Sequence, residues 1–233
     1  MSRKLTASLL VLAAVLANAA FTALGSVFNY PDVLDEPAGQ VLASFRADEG
    51  AVSGWFAVLA LSAALLAPVA IGVGRLSAAR AMRFAVPVGI AAALVQVAGL
   101  LRWPLLVPGY AADAASADGA VAASARDSFM TANDVLGTAI GETLGYLLTA
   151  AWTLLVIVAL GRRFAGRWFR LLGGASATLV LAGVLSPLDL PGVDLANFVG
   201  YVLWSVWLVA FAVLIAVRER RPAAALSPSA VAS

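Results

Sequence analysis

Six runs of apolar residues, at 5–25, 55–73, 84–110, 135–160, 168–188 and 193–217, dominate the chain and dictate its class. Each is close to the roughly 20 residues that a helix needs to cross about 30 Å of hydrocarbon. Lipid offers no partner to a backbone N–H or C=O, so such runs are restricted to helices, whose hydrogen bonds are all internal. The expected architecture is therefore all-α, a six-transmembrane-helix bundle. Only 12% of the 233 residues are charged and 62% are hydrophobic, against about 25% charged in a soluble domain. There is no cysteine and no histidine, which removes disulfides, thiolate nucleophiles, iron–sulfur ligation and imidazole ligands to haem or zinc. The single lysine, Lys4, stands at the N-terminus, so no Schiff base forms in mid-membrane. Acid–base chemistry is left to carboxylates, tyrosines and water, and neither a metal nor a cofactor is expected.

The ends of the runs carry an orientation. Arg3, Lys4, Arg75, Arg80, Arg83, Arg162, Arg163, Arg167, Arg170, Arg218, Arg220 and Arg221 lie at the termini or in the two short even-numbered connections, which makes 12 of the 15 basic residues. The positive-inside rule puts both termini in the cytoplasm. Twelve of the 13 acidic residues lie beyond or within the outer half, Glu219 being the exception. The basic isoelectric point thus reflects topology, and no nucleic-acid partner follows from it. Arg3, Lys4 and the small residues Ala17 to Ala19 also fit a cleavable signal peptide. The apolar run continues through Phe21 and Leu24, which favours an uncleaved first span.

The outer connections are the long ones. In the first, Val33, Leu34, Ala38, Val41, Leu42 and Phe45 recur at helical spacing behind Asp35, Glu36 and Pro37, which predicts a short amphipathic helix on the outer surface. The second, residues 111–134, is rich in alanine, serine and aspartate, with a weaker stripe at Val121, Ala125 and Phe129. It reads as a tether rather than a lid. Residues 1–220 form one membrane domain, and the tail from 221 to 233 has the composition of a disordered segment.

Two stretches echo one another. Glu142, Gly145, Tyr146, Leu148 and Trp152 in the fourth span match Asn197, Gly200, Tyr201, Leu203 and Trp207 in the sixth at a constant offset. Pro104 to Gly109 and Pro187 to Gly192 give P-L-x-x-P-G twice, at the ends of the third and fifth spans. A duplicated helical hairpin, spans 3–4 and 5–6 in parallel, is the simplest source.

Glu142 is the conspicuous member, a carboxylate in an otherwise apolar run. At 1.5 Å per residue it lies roughly 12 Å along its helix from Asp134, and Arg102 lies about as far below Tyr110. Each charge alone costs about 2.5–3.5 kcal/mol at mid-membrane on insertion scales, so the two are expected to meet. A buried pair is nonetheless weak evidence of stability. Helical spacing adds Thr138, Tyr146 and Thr149 to the face of Glu142, and Gln96, Asp189, Tyr201 and Ser205 extend the patch. Gly137, Gly141 and Gly145 make small-xxx-small steps, read as helix packing. Trp55, Trp103 and Trp168 fit interfacial aromatic belts.

The stretches FNYPDVLDEPAG, LLRWPLLVPG, GETLGYLLTAAWTLL and ANFVGYVLWSVWLV together resemble the bacterial membrane family catalogued as domain of unknown function 4386, from residue 5 to about 217. The resemblance implies a six-span protein of the bacterial inner membrane and brings no established activity. The family-like positions here are Asn29, Tyr30, Pro31, Asp32, Arg102, Trp103, Pro104, Glu142, Gly145, Tyr146, Asn197, Gly200 and Tyr201.

Three functional readings stay open. The first is a membrane protein that holds an amphipathic small molecule (a lipid, quinone or other hydrophobe) in an outward-facing polar pocket of Arg102, Glu142, Tyr146, Asn197, Tyr201, Trp103, Asn29, Tyr30 and Asp32. The second is an integral enzyme on an isoprenoid or lipid, in outline similar to small membrane terpene cyclases though without their motifs. There Glu142 or Asp32, shielded by burial, is the general acid, and Tyr146, Tyr201 and Trp103 shield a cation. The third is a polar set that only locks the helices together. A proton-coupled transporter fits less well, because the inner half holds no polar residues at depth.

Overall fold

The computed structural model describes residues 1–188 and 190–219, except the side chains of residues 162, 163 and 219. Among the described residues it is helical without strands, and six stretches are long and apolar enough to cross a membrane. The first span is α1 (Arg3–Phe28). After a 3-10 turn at Asp32–Asp35 and the surface helix α2 (Ala38–Ala47), the second span is built from α3 (Glu49–Ala64) and α4 (Leu66–Gly74). Pro68 explains that break: it has no N–H for the carbonyl of Ala64, and its ring crowds that oxygen. The third span is α5 (Arg80–Leu105), which breaks at Leu106 into α6 (Val107–Asp113), with Pro104 and Pro108 on either side of the bend.

The fourth span departs furthest from expectation. The segment read as a tether contains α7 (Gly119–Ala132), which runs without interruption into a π-helical segment (Asn133–Leu144) and then α8 (Gly145–Phe164). Alanine conceals α7, being the strongest helix former while contributing little to an apolar stripe. Its inward face is Ala122, Ala125 and Phe129. The Asp118 carboxylate caps it by accepting from the N–H of Ala120 at 2.8 Å. Asp118→Ala is expected to destabilise α7 by about 1 kcal/mol, seen as faster amide exchange confined to residues 119–132. The fifth span is α9 (Arg167–Ala182) with a 3-10 extension at Gly183–Leu188, and the sixth is α10 (Val193–Glu219). The expected disordered tail lies outside the described residues.

Each span packs on its neighbours in chain order and the first also packs on the sixth, so the bundle closes into a ring. Two apolar clusters fill it. One, around Leu10, Trp152, Phe169, Trp207 and Phe211, occupies the half towards the basic end. The other lies at the opposite, capped end, where α2 folds inward. Val41, Leu42 and Phe45 are buried there with Phe28, Phe56, Trp103 and Phe129. Thus α2 forms as the spacing predicts, but it docks onto the bundle. Trp103 is fully buried beneath it, with Phe56 stacked at 4.6 Å between ring centroids. This corrects the assignment of Trp103 to an interfacial belt. Trp168 is half exposed.

Candidate functional site

Between the two apolar clusters, the third, fourth and sixth spans carry polar side chains. On span 3 these are Gln96 and Arg102, on span 4 Asn133, Glu142, Tyr146 and Thr149, and on span 6 Asn197 and Tyr201. Close approach of two backbones creates the setting. Gly99 of α5 faces Gly141 of the π-helical segment so closely that a Cβ at position 99 would lie 2.6 Å from the Gly141 Cα. Gly145 lies under the Gln96 side chain, where a Cβ would be 2.9 Å from its Cγ. Gly141 and Gly145 thus have the packing role expected of them. Gly137 has another: a Cβ there would lie 2.7 Å from an Arg102 nitrogen, so glycine makes room for the guanidinium.

Arg102 is 5% exposed, and protein acceptors take up two of its nitrogens. One donates to the Gly99 carbonyl at 2.7 Å and the other to Asn133 Oδ1 at 2.9 Å. Its third nitrogen, Nε, is buried with no acceptor among the described residues. The guanidinium also lies 5.3 Å from the centre of the Trp103 ring. Glu142 is near enough for the two charges to influence each other, as are Tyr30 and Tyr146. No ion pair forms, however. The expected meeting of Arg102 with Glu142 is corrected in this respect: Asn133, not Glu142, holds the guanidinium. The half-buried Glu142 carboxylate has no hydrogen-bond or ion-pair partner among the described residues. Asp194, in the first turn of α10, adds a second negative charge to its surroundings.

Three phenols surround this charge pair. Tyr146 and Tyr201 meet edge to face at 5.8 Å. Tyr30 follows Asn29, which ends α1 in a left-handed conformation (φ 51°), and packs against Phe56 at 5.2 Å. Burial first, and then the Glu142 carboxylate, push the Tyr30 phenol up to about 12, with Arg102 opposing. Gln96 donates to the Thr149 hydroxyl at 2.9 Å, and Thr149 in turn lies within reach of Tyr201.

Other predicted positions fall elsewhere. Asn197 is buried and donates to the Val180 carbonyl at 2.8 Å, so it clasps span 6 to span 5. Ser205 accepts from Asn18 at 2.9 Å between the first and sixth spans. Asn29 and Asp32 are exposed, and Asp32 lacks the shielding that an acid role asks of it. Trp103 lies in the cap cluster, with Arg102 alongside. Asp189 is outside the described residues. Sequence reasoning missed Asn133, whose signal was an amide at the mouth of a span carrying a glutamate. It missed the π winding altogether. An open groove of about 520 Å³ runs outside the site, walled by Leu106, Tyr110, Asp127, Thr131, Val135 and Leu136.

The six apolar helices define a multi-pass helical membrane protein with a cluster of polar side chains between its spans. The family described as a domain of unknown function, DUF4386, matches residues 5–212, and the chain belongs to it. No curated protein and no solved structure matches the chain.

Proposed function

We propose that this protein binds an amphipathic small molecule in the polar site between spans 3, 4 and 6. The observation that carries this reading is the Glu142 carboxylate, half-buried beside Arg102 and three tyrosines yet without a hydrogen-bond or ion-pair partner among the described residues. A carboxylate kept in a helical bundle only for bracing would be expected to accept hydrogen bonds, since leaving it bare costs more than removing it. Apolar walls with a few convergent polar groups are the usual form of a ligand site. The adjacent groove, with Leu106, Val135 and Leu136 near the hydroxyl of Thr131, offers an apolar chain a surface beside that polar set.

The topology we adopt places the basic end and both termini in the cytoplasm of a bacterial cell and turns the capped end and the site outward. A parallel duplication accounts for the matching contacts of the two hairpins. Trp152 packs on Gly89 and Gly145 on Gln96 in the first, and Trp207 packs on Gly173 and Gly200 on Leu179 in the second. Tyr146 meets Tyr201 and Trp152 meets Trp207 at equivalent levels.

The test compares the native protein with the double variant Arg102→Met, Glu142→Leu, by mass spectrometry of co-purifying lipids and metabolites and by thermal unfolding. A ligand retained by the native protein is expected to be absent from the variant, together with the thermal stabilisation that it confers. Equal retention by a folded double variant sinks the proposal and leaves the polar set a purely structural one.

A further inference from the structure

Resting on that reading, we infer that the ligand's polar end is a zwitterion, with its anionic group towards Arg102 and its cationic group towards Glu142 and the tyrosines. The two opposite charges of the site feel one another but are not in contact, and each keeps an unfilled hydrogen-bonding position. These are the buried Nε of Arg102 and the oxygens of Glu142. A guest of single charge satisfies only one of them. An anion placed at Arg102 would lie near Glu142, and a cation placed at Glu142 would lie near Arg102. A guest carrying both charges meets both needs. Phosphate or carboxylate oxygens suit a guanidinium N–H, and an ammonium group suits a carboxylate bordered by aromatic rings.

The tyrosines fit this division. Tyr146 and Tyr201 meet edge to face at 5.8 Å within the field of Glu142, which gives the cationic group an aromatic surface, while Tyr30 feels both Glu142 and Arg102 and borders the two halves. Arg102 has Trp103 beside it, and Gly99 and Asn133 fix its outer nitrogens. It therefore presents a held cation rather than a free-swinging one. A zwitterionic head group of this kind occurs on a phospholipid and also on a soluble betaine or phosphoethanolamine.

The experiment measures retention, by native mass spectrometry of detergent-purified protein, of five probes. These are phosphatidylethanolamine, phosphatidylglycerol, a diacyl trimethylammonium lipid, diacylglycerol and soluble phosphoethanolamine. The native protein is expected to retain phosphatidylethanolamine about ten-fold more tightly than the anionic, cationic or neutral lipid. Retention of soluble phosphoethanolamine as well would place recognition in the head group alone, and its loss would make the acyl chains part of the ligand. Glu142→Gln is expected to shift preference towards phosphatidylglycerol, and Arg102→Gln towards the trimethylammonium lipid. A merely structural role moves both variants the same way. Equal retention of all lipids, or parallel loss of every class in both variants, overturns the inference. Saturable retention of the anionic or neutral lipid alone overturns it too, while leaving small-molecule binding in place. Retention of no probe and no co-purifying molecule removes the binding reading itself.

Discussion

Gly99→Val is expected to lose about 3 kcal/mol of stability, the upper end of the usual range for overpacking. The reason is the identity of the atoms that a side chain would strike. A Cβ at position 99 lies 2.6 Å from the Gly141 Cα and 2.8 Å from the Leu136 carbonyl oxygen. Both belong to backbone, which cannot rotate aside as the end of a side chain can. Spans 3 and 4 would have to separate at the level where Arg102 reaches Asn133, so ligand retention should fall with stability. Association of helices in lipid relies on close van der Waals contact, with no hydrophobic gain between spans to compensate. Gly54→Ala is the control, because nothing lies within 4 Å of a Cβ there. Thermal or denaturant unfolding of the purified proteins decides the matter. A Gly99→Val protein as stable as the native one would show that the two spans do not cross as described.

Trp103→Ala is the second large effect, with an expected loss of about 3–5 kcal/mol. Trp103 has no exposed surface, and four rings surround it: Phe56 at 4.6 Å, Phe28 at 5.2 Å, Phe45 at 6.0 Å and Phe129 at 6.1 Å between centroids. Those rings come from α3, α1, α2 and α7, so a single truncation empties the place where the helices of the capped end converge. The consequence should be local before it is global. Limited proteolysis is expected to cut within residues 36–48 of the variant under conditions that leave the native chain intact, and Trp103→Phe should recover most of the protection. Unaltered resistance in Trp103→Ala would mean that α2 does not depend on this cluster.

How much of this was readable in the sequence differs from element to element. The spans were legible because length and apolarity alone decide them. The surface helix α2 was legible because Val41, Leu42 and Phe45 keep helical spacing, but what it covers depends on a tryptophan that depth alone assigned to a lipid boundary. In α7 the alanines that make a good helix also erase the contrast between its faces, so a helix was read as a tether. The candidate site was legible as a set of residues and not as a set of bonds. Arg102 and Glu142 do come near each other, yet Asn133, just beyond the apolar run, takes the guanidinium. No propensity or spacing rule announces a π winding, whose hydrogen bonds run to the fifth residue rather than the fourth. Counting 1.5 Å per residue therefore overstates the depth of Glu142, since a wider coil rises less with each residue.

One continuous helical path runs from Gly119 to Gly161. Its first third belongs to the cap, its middle carries Asn133 and Glu142, and its remainder is anchored among the tryptophans. Such a rod behaves as a lever with its fulcrum in the loosest-wound section. Torque on α7 at the capped end reaches the amide that grips Arg102 and the Glu142 carboxylate nine residues further along before it reaches Trp152, so the cap and the charged interior are mechanically one part.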